Sequence, residues 1–180
     1  DGLAGRALNS LLGHREDFWG PDSFSAVELV GPDAIVAKAA YTLANPVAAG
    51  LVRSAYRWPG LWSSPDDAGA AARVAPRPDY FFTPKGSMPR SATLRLTVPP
   101  GFASAEAFRV QLSAALAAQE AAAVKKVGTF LGAARVLAQK TSTRPSHPEP
   151  LRQLNPRVAT CDEETRIAAL ERLATFLAQY

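Results

Sequence analysis

The segment Ala105–Val127 constrains the fold most: nine of its residues are alanine, and Phe108, Leu112 and Leu116 recur at every fourth position. Alanine is the best helix former and a poor strand former. Large apolar residues four apart fall on one helix face. Ser104 stands where an N-cap hydroxyl belongs and Gly128 interrupts the pattern, so the spacing predicts one long helix with a narrow apolar stripe. The bias covers the whole chain, in which 35 of 180 residues are alanine and only fifty are larger apolar residues. An α+β, mostly helical class follows. A chain of 180 residues suits one ordinary domain, or one with a small appendage, and buries roughly 70% of its unfolded surface.

Other segments read from the same rules. Leu3, Ala7, Leu8, Leu11 and Leu12 have helical spacing over residues 3–15, ending near Gly13. Residues 18–22 form an aromatic knot closed by a turn, and residues 24–29 alternate as a short strand. Pro32 and Asp33 open a helix with Ile35, Val36, Ala39, Ala40 and Leu43 on its buried stripe, and Asn45-Pro46 stops it. A turn follows to Gly50, and residues 58–64 make a rigid aromatic turn. Residues 65–77, rich in Ala, Asp, Gly and Pro, read as a linker between residues 1–64 and 78–180. Residues 80–82 and 93–98 flank a turn at 84–87 as a small β-hairpin. Residues 129–139 suggest a second helix after Gly128, and the proline-rich residues 141–157 an extended basic linker. Thr160 and Glu163 make a capping box before a last helix with Ile167, Leu170, Leu173 and Leu177 facing inward.

Little chemistry is encoded. Cys161 is the single cysteine, which rules out an intramolecular disulfide and a four-thiolate zinc site and favours a reducing, cytoplasmic setting. His14 and His147 stand apart, with no His-x-His spacing, so a metal site is not expected. Asp66-Asp67 lies in the linker and Asp162-Glu163-Glu164 at a helix start, where acids are favourable without any catalytic role. No glycine-rich phosphate loop occurs, and Trp19, Trp58 and Trp62 border turns, as core or lid residues do. No apolar run reaches the ~20 residues that span a bilayer, so no membrane partner is expected. Residues 1–6 lack both a signal-peptide pattern and an initiator Met, and the chain is expected to be a piece of a longer one.

The one compositional signal is charge. Residues 125–157 hold Lys125, Lys126, Arg135, Lys140, Arg144, Arg152 and Arg157 against Glu149 alone, a local +6 in a chain whose total is +4. Such asymmetry suits a polyanion-binding face, although a solvated helix face shows it too. Helix, Gly128 break and second helix also give a weak helix-turn-helix outline over residues 125–140.

Tyr41-Thr42-Leu43-Ala44-Asn45-Pro46-Val47-Ala48-Ala49-Gly50-Leu51-Val52, followed by Trp58-Pro59-Gly60-Leu61-Trp62-Ser63-Ser64, resembles the closing part of the single-tyrosine transposase domain. The resemblance is to the branch of REP-associated tyrosine transposases and covers about residues 3–64, with Leu8-Asn9, Phe18-Trp19 and Phe24 in matching places. Residues 74–180, including Leu154-Asn155-Pro156-Arg157-Val158-Ala159, look like a C-terminal extension carried by one subgroup. What the resemblance implies is bacterial DNA transposition: a tyrosine hydroxyl attacks a phosphodiester while a divalent metal such as Mg2+, held by a His-hydrophobic-His pair, polarises the phosphate. Neither part transfers to this sequence. It has no His-hydrophobic-His and no tyrosine in residues 1–40, and Tyr41 belongs to the structural signature as a core tyrosine.

The leading expectation is therefore a transposase-like DNA-binding fragment without catalytic residues or cofactor of its own. Lys125, Lys126, Arg135, Lys140, Arg144, Arg152 and Arg157 would contact single-stranded or hairpin DNA, and a homodimer is compatible. The rival is a non-enzymatic interaction module whose helix 104–127 receives a partner helix. A nuclease acting through Tyr41 is a third and weaker reading.

Overall fold

The computed structural model describes residues 26–79, 82, 85–140 and 157–179, together with residues 5, 8–10 and 13. It is α+β and mostly helical. Its helices are α1 (Pro32–Ala48), α2 (Ala105–Val127), α3 (Ala133–Leu137) and α4 (Glu163–Ala178). Its strands are β1 (Glu28–Leu29), β2 (Arg73–Pro76), β3 (Ser91–Leu94) and β4 (Val158–Ala159). The chain divides into two units, residues 1–26 with 72–94 and residues 27–71 with 95–180.

In the first unit β2 and β3 pair antiparallel, Arg73 opposite Leu94 and Pro76 opposite Ser91. A hairpin is present, but its first strand is Arg73–Pro76 rather than the aromatic residues 80–82, and its second is Ser91–Leu94 rather than residues 93–98. Pro76 lacks an N–H and is tolerated because a two-stranded ladder leaves it an open edge. The Arg77 amide donates to the Arg90 carbonyl at 2.8 Å, and its guanidinium Nη1 to the Met88 carbonyl at 2.9 Å, closing the intervening loop. Residues 80, 81 and 84 lie outside the described residues, as do the aromatic knot at 18–22 and the strand start at 24–25. Residues 5 and 8–10 of the first expected helix are helical.

The second unit is organised by α1 and α2. Ser104 caps α2, its Oγ accepting from the Ala107 amide at 3.0 Å, and Gly128 ends it at φ +74°, both as the sequence predicts. Phe108, Leu112 and Leu116 are buried as one stripe. Val36 and Ala40, early in α1, share a cluster with Phe108 and Leu112, early in α2. Val47, late in α1, shares a second cluster with Ala123 and Val124, late in α2. The helices therefore run side by side in the same direction, and alanines at 39, 40, 44 and 115 keep their backbones close. This packing consumes the stripe that a partner helix would have needed.

Pro46 does not stop α1, which continues to Ala48. The fixed proline φ is helical, and only Val47 and Ala48 remain after it, so the local cost is a missing amide at the helix end. The Leu51 and Val52 amides fold back on the Pro46 carbonyl at 2.9 and 3.3 Å, and Gly50 turns the chain at φ +70°. Residues 65–71 are held within this unit. Pro65 is fully buried, the Gly69 amide donates to the Leu96 carbonyl at 2.7 Å, and Arg109 Nε donates to the Ala68 carbonyl at 2.8 Å.

β1 and β4 pair in parallel, Glu28 opposite Val158 and Leu29 opposite Ala159. Of the expected strand 24–29, only Glu28–Leu29 is strand among the described residues. The last helix is capped by Asp162, not Thr160: its carboxylate accepts from the Thr165 amide at 2.7 Å, while Thr160 Oγ1 accepts from the Asp162 amide at 3.2 Å. Nor does α4 face inward through Ile167, Leu170 and Leu177, all of which are exposed. Its buried residue is Ala169, flanked by half-buried Thr165 and Leu173.

Candidate nucleic-acid interface

The C-terminal ends of α1 and α2 are locked together by backbone. The Leu131 amide donates to the Gly50 carbonyl at 2.9 Å and the Gly132 amide to the Leu51 carbonyl at 2.8 Å. A Cβ on Gly50 would lie 3.1 Å from Val127 Cγ1, so glycine also permits the close approach. Phe130 and Ala133 pack on the second buried cluster. The segment after Gly128 is thus pinned, and its helical part is only Ala133–Leu137 rather than residues 129–139. Five residues span about 7.5 Å at 1.5 Å per residue, too short to lie along a major groove, so the helix-turn-helix outline is not formed.

Lys125 and Lys126 occupy the last turn of α2, where cations also suit the helix dipole. Arg135 sits on α3, and Lys140 follows it. All four are exposed, and none is ion-paired with another described residue. Arg144 and Arg152 lie outside the described residues. Arg157 is exposed but is at the other end of α1: its carbonyl accepts from the Glu28 amide at 2.9 Å, just before the helix begins. Seventeen residues of α1 separate the two places by about 25 Å at 1.5 Å per residue. The basic residues therefore do not form one patch.

Sequence reasoning missed what else stands at the Lys125 end. Glu120 on α2 accepts from the Ala55 amide at 2.6 Å and from Ser54 Oγ at 3.3 Å, fixing a 3-10 turn at Ala55–Arg57. That turn sends Arg53 and Arg57 outward beside Tyr56, which is 61% exposed. Tyr56 meets Trp62 edge to face, with ring centroids 4.8 Å apart. Burial first, then the carboxylates of Asp66, Glu120 and Asp67, raise the Tyr56 phenol above its ordinary 10.0, so it stays neutral at physiological pH. The available signal was the Arg-x-x-Tyr-Arg-Trp spacing of residues 53–58, which alternates cations with rings. Asp67 is no free acid either, since its carboxylate accepts from the Ser64 amide at 2.7 Å. Trp58 and Trp62 pack partly buried on the second cluster, as expected; Trp19 lies outside the described residues.

Tyr41, expected in the core, is 52% exposed with Lys38 Nζ 5.3 Å from its ring centroid. It lies one step around α1 from the face of Val36, Ala40, Ala44 and Val47 that is buried. Among the described residues no three His, Cys, Asp or Glu side chains are grouped to hold a metal ion. His14 and His147 lie outside the described residues. The described donors do not fit the divalent cation that the resemblance implies. Cys161 is exposed with a free thiol. Among the described residues no helix is long and apolar enough to cross a membrane.

No protein-family model, no curated protein and no solved structure matches the chain.

Proposed function

We propose that this chain is a DNA-binding, noncatalytic part of a transposase-like protein, working in the cytoplasm on single-stranded or hairpin DNA. One observation carries the reading: Arg53, Arg57, Lys125, Lys126 and Arg135 are exposed at the end of the helix pair that the Gly50 and Leu131 backbones lock together, without an ion pair to another described residue. Unneutralised cations on a rigid frame release counterions when phosphates replace them. Tyr56 between two arginines adds a ring on which an unpaired base can stack. The Tyr41-to-Ser64 signature supports the transposase-like part of the reading.

The test is an electrophoretic titration with single-stranded, hairpin and duplex oligonucleotides at two salt concentrations. Binding to the first two that weakens steeply with salt is expected. No retention at low salt, or retention unchanged when Lys125, Lys126 and Arg135 become alanine, overturns the proposal.

A further inference from the structure

Helix α4 shows two different faces. Ala169 is 1% exposed and faces the body of its own unit, with Thr165 and Leu173 half-buried beside it. About a third of a turn around the helix, at 3.6 residues per turn, Ile167, Leu170 and Leu177 are 50%, 44% and 64% exposed, in line with Ala174. Isolated surface leucines are ordinary, but an aligned row of them on one helix marks a contact surface.

The row repeats with spacing three, four, three, which is the a and d pattern of a coiled coil: Ile167 at a, Leu170 at d, Ala174 at a, Leu177 at d. In that frame Arg166 is at g and Glu171 at e, so one rim of the row is cationic and the other anionic. In a parallel pair a g residue meets the e residue five positions further along the partner, which sets Arg166 against Glu171 of a second copy. An antiparallel pair would oppose Arg166 to arginine and Glu171 to glutamate. Ile at a with Leu at d also favours two strands. The Arg166 ion pair with Glu163, 3.2 Å between largely exposed side chains, is cheap to exchange.

We propose that α4 joins a second copy of this chain as a parallel two-stranded pair through Ile167, Leu170, Ala174 and Leu177, with Arg166 facing Glu171 across it. Two heptads fall at the small end of specific interfaces, so the dimer is weak and concentration-dependent. This pairing requires no DNA.

Sedimentation of the full chain between about 10 µM and 1 mM, the range suited to a small interface, reads it directly. The wild type is expected to shift from monomer to dimer, and Leu170→Glu/Leu177→Glu, altered at exposed positions, to stay monomeric with an unchanged circular dichroism spectrum. Arg166→Glu should weaken the dimer at least tenfold and Arg166→Glu/Glu171→Arg should restore it. A wild type monomeric throughout overturns the proposal, as does a dimer that survives the double leucine change or ignores Arg166→Glu. A leucine variant that unfolds also counts against it, since the row would then be covered within the chain.

Discussion

The indole Nε1–H of Trp62 donates to the carbonyl oxygen of Leu43 at 3.2 Å, three residues before Pro46. A proline within a helix disturbs the carbonyls of the preceding turn, because it brings no amide and its ring crowds them. Trp62 adds a donor next to the Thr42 carbonyl that Pro46 leaves without an amide, while its ring packs on the cluster of Val47, Val52 and Ala55. Trp62→Phe keeps most of the apolar surface and removes the donor. Urea unfolding should show a loss of about 1–2 kcal/mol, the range for one hydrogen bond with some lost packing. An unchanged midpoint would mean that the indole only fills space.

Glu120 gives a sharper comparison, because one carboxylate oxygen serves both Ser54 Oγ and the amide of Ala55, a residue 1% exposed. Glu120→Ala strands a backbone donor and is expected to destabilise by about 2–3 kcal/mol. Glu120→Gln retains a carbonyl acceptor and should lose less than about half of that. The same contact fixes the turn bearing Arg53, Tyr56 and Arg57, so the alanine variant should also bind DNA more weakly than its stability loss explains.

Where local chemistry and packing agree, structure is legible in the sequence. Ser104, the four-residue spacing of Phe108, Leu112 and Leu116, and Gly128 each point to the same helix, and α2 has those bounds. Where a long-range contact decides, it is not. Pro46 reads as a stop by its local rule, yet α1 continues to Ala48, and contacts from residues 51, 52 and 62 hold that end of the helix. Val74 and Ala75 look like linker because nothing nearby reveals their pairing with Thr93 and Ala92. The inward stripe on α4 is a sound reading of periodicity, but periodicity cannot say whether the covering surface belongs to the same chain. The same holds for the basic residues: composition counts seven cations, and only the parallel run of α1 and α2 reveals that Arg157 lies far from Lys125.

Asp162 should tie the start of α4 to pH. Hydrogen bonding from the Thr165 side chain and then its amide holds the carboxyl below its ordinary 3.8. A lowered value means the ionised form is favoured in the folded helix. Its contribution is therefore complete above the ordinary value and lost as pH falls through the lower folded one. Hydrogen exchange of the Thr165 amide should be equally protected from neutral pH down to about 5 and lose protection in stronger acid. Asp162→Asn, which still caps, should remove that acid dependence. Protection that fades already near neutral pH would assign the cap elsewhere.

The separation of the basic residues predicts unequal effects on DNA. Each phosphate neutralised contributes about 0.7 to the slope of log affinity against log salt for a single strand. If Lys125, Lys126 and Arg135 act together at the locked end of the helix pair, their joint replacement by alanine should lower that slope by about 2 and weaken binding at all sequences alike. Arg157→Ala, about 25 Å away along α1 at 1.5 Å per residue, should leave a short oligonucleotide's slope unchanged and affect only strands long enough to reach it. Tyr56→Ala should reduce affinity by about 1–3 kcal/mol for single strands and hardly at all for duplex, because a stacked base must be unpaired to reach the ring. Equal losses from the Arg157 change and the triple change on a short strand would mean that charge acts through the overall field and not through a located interface.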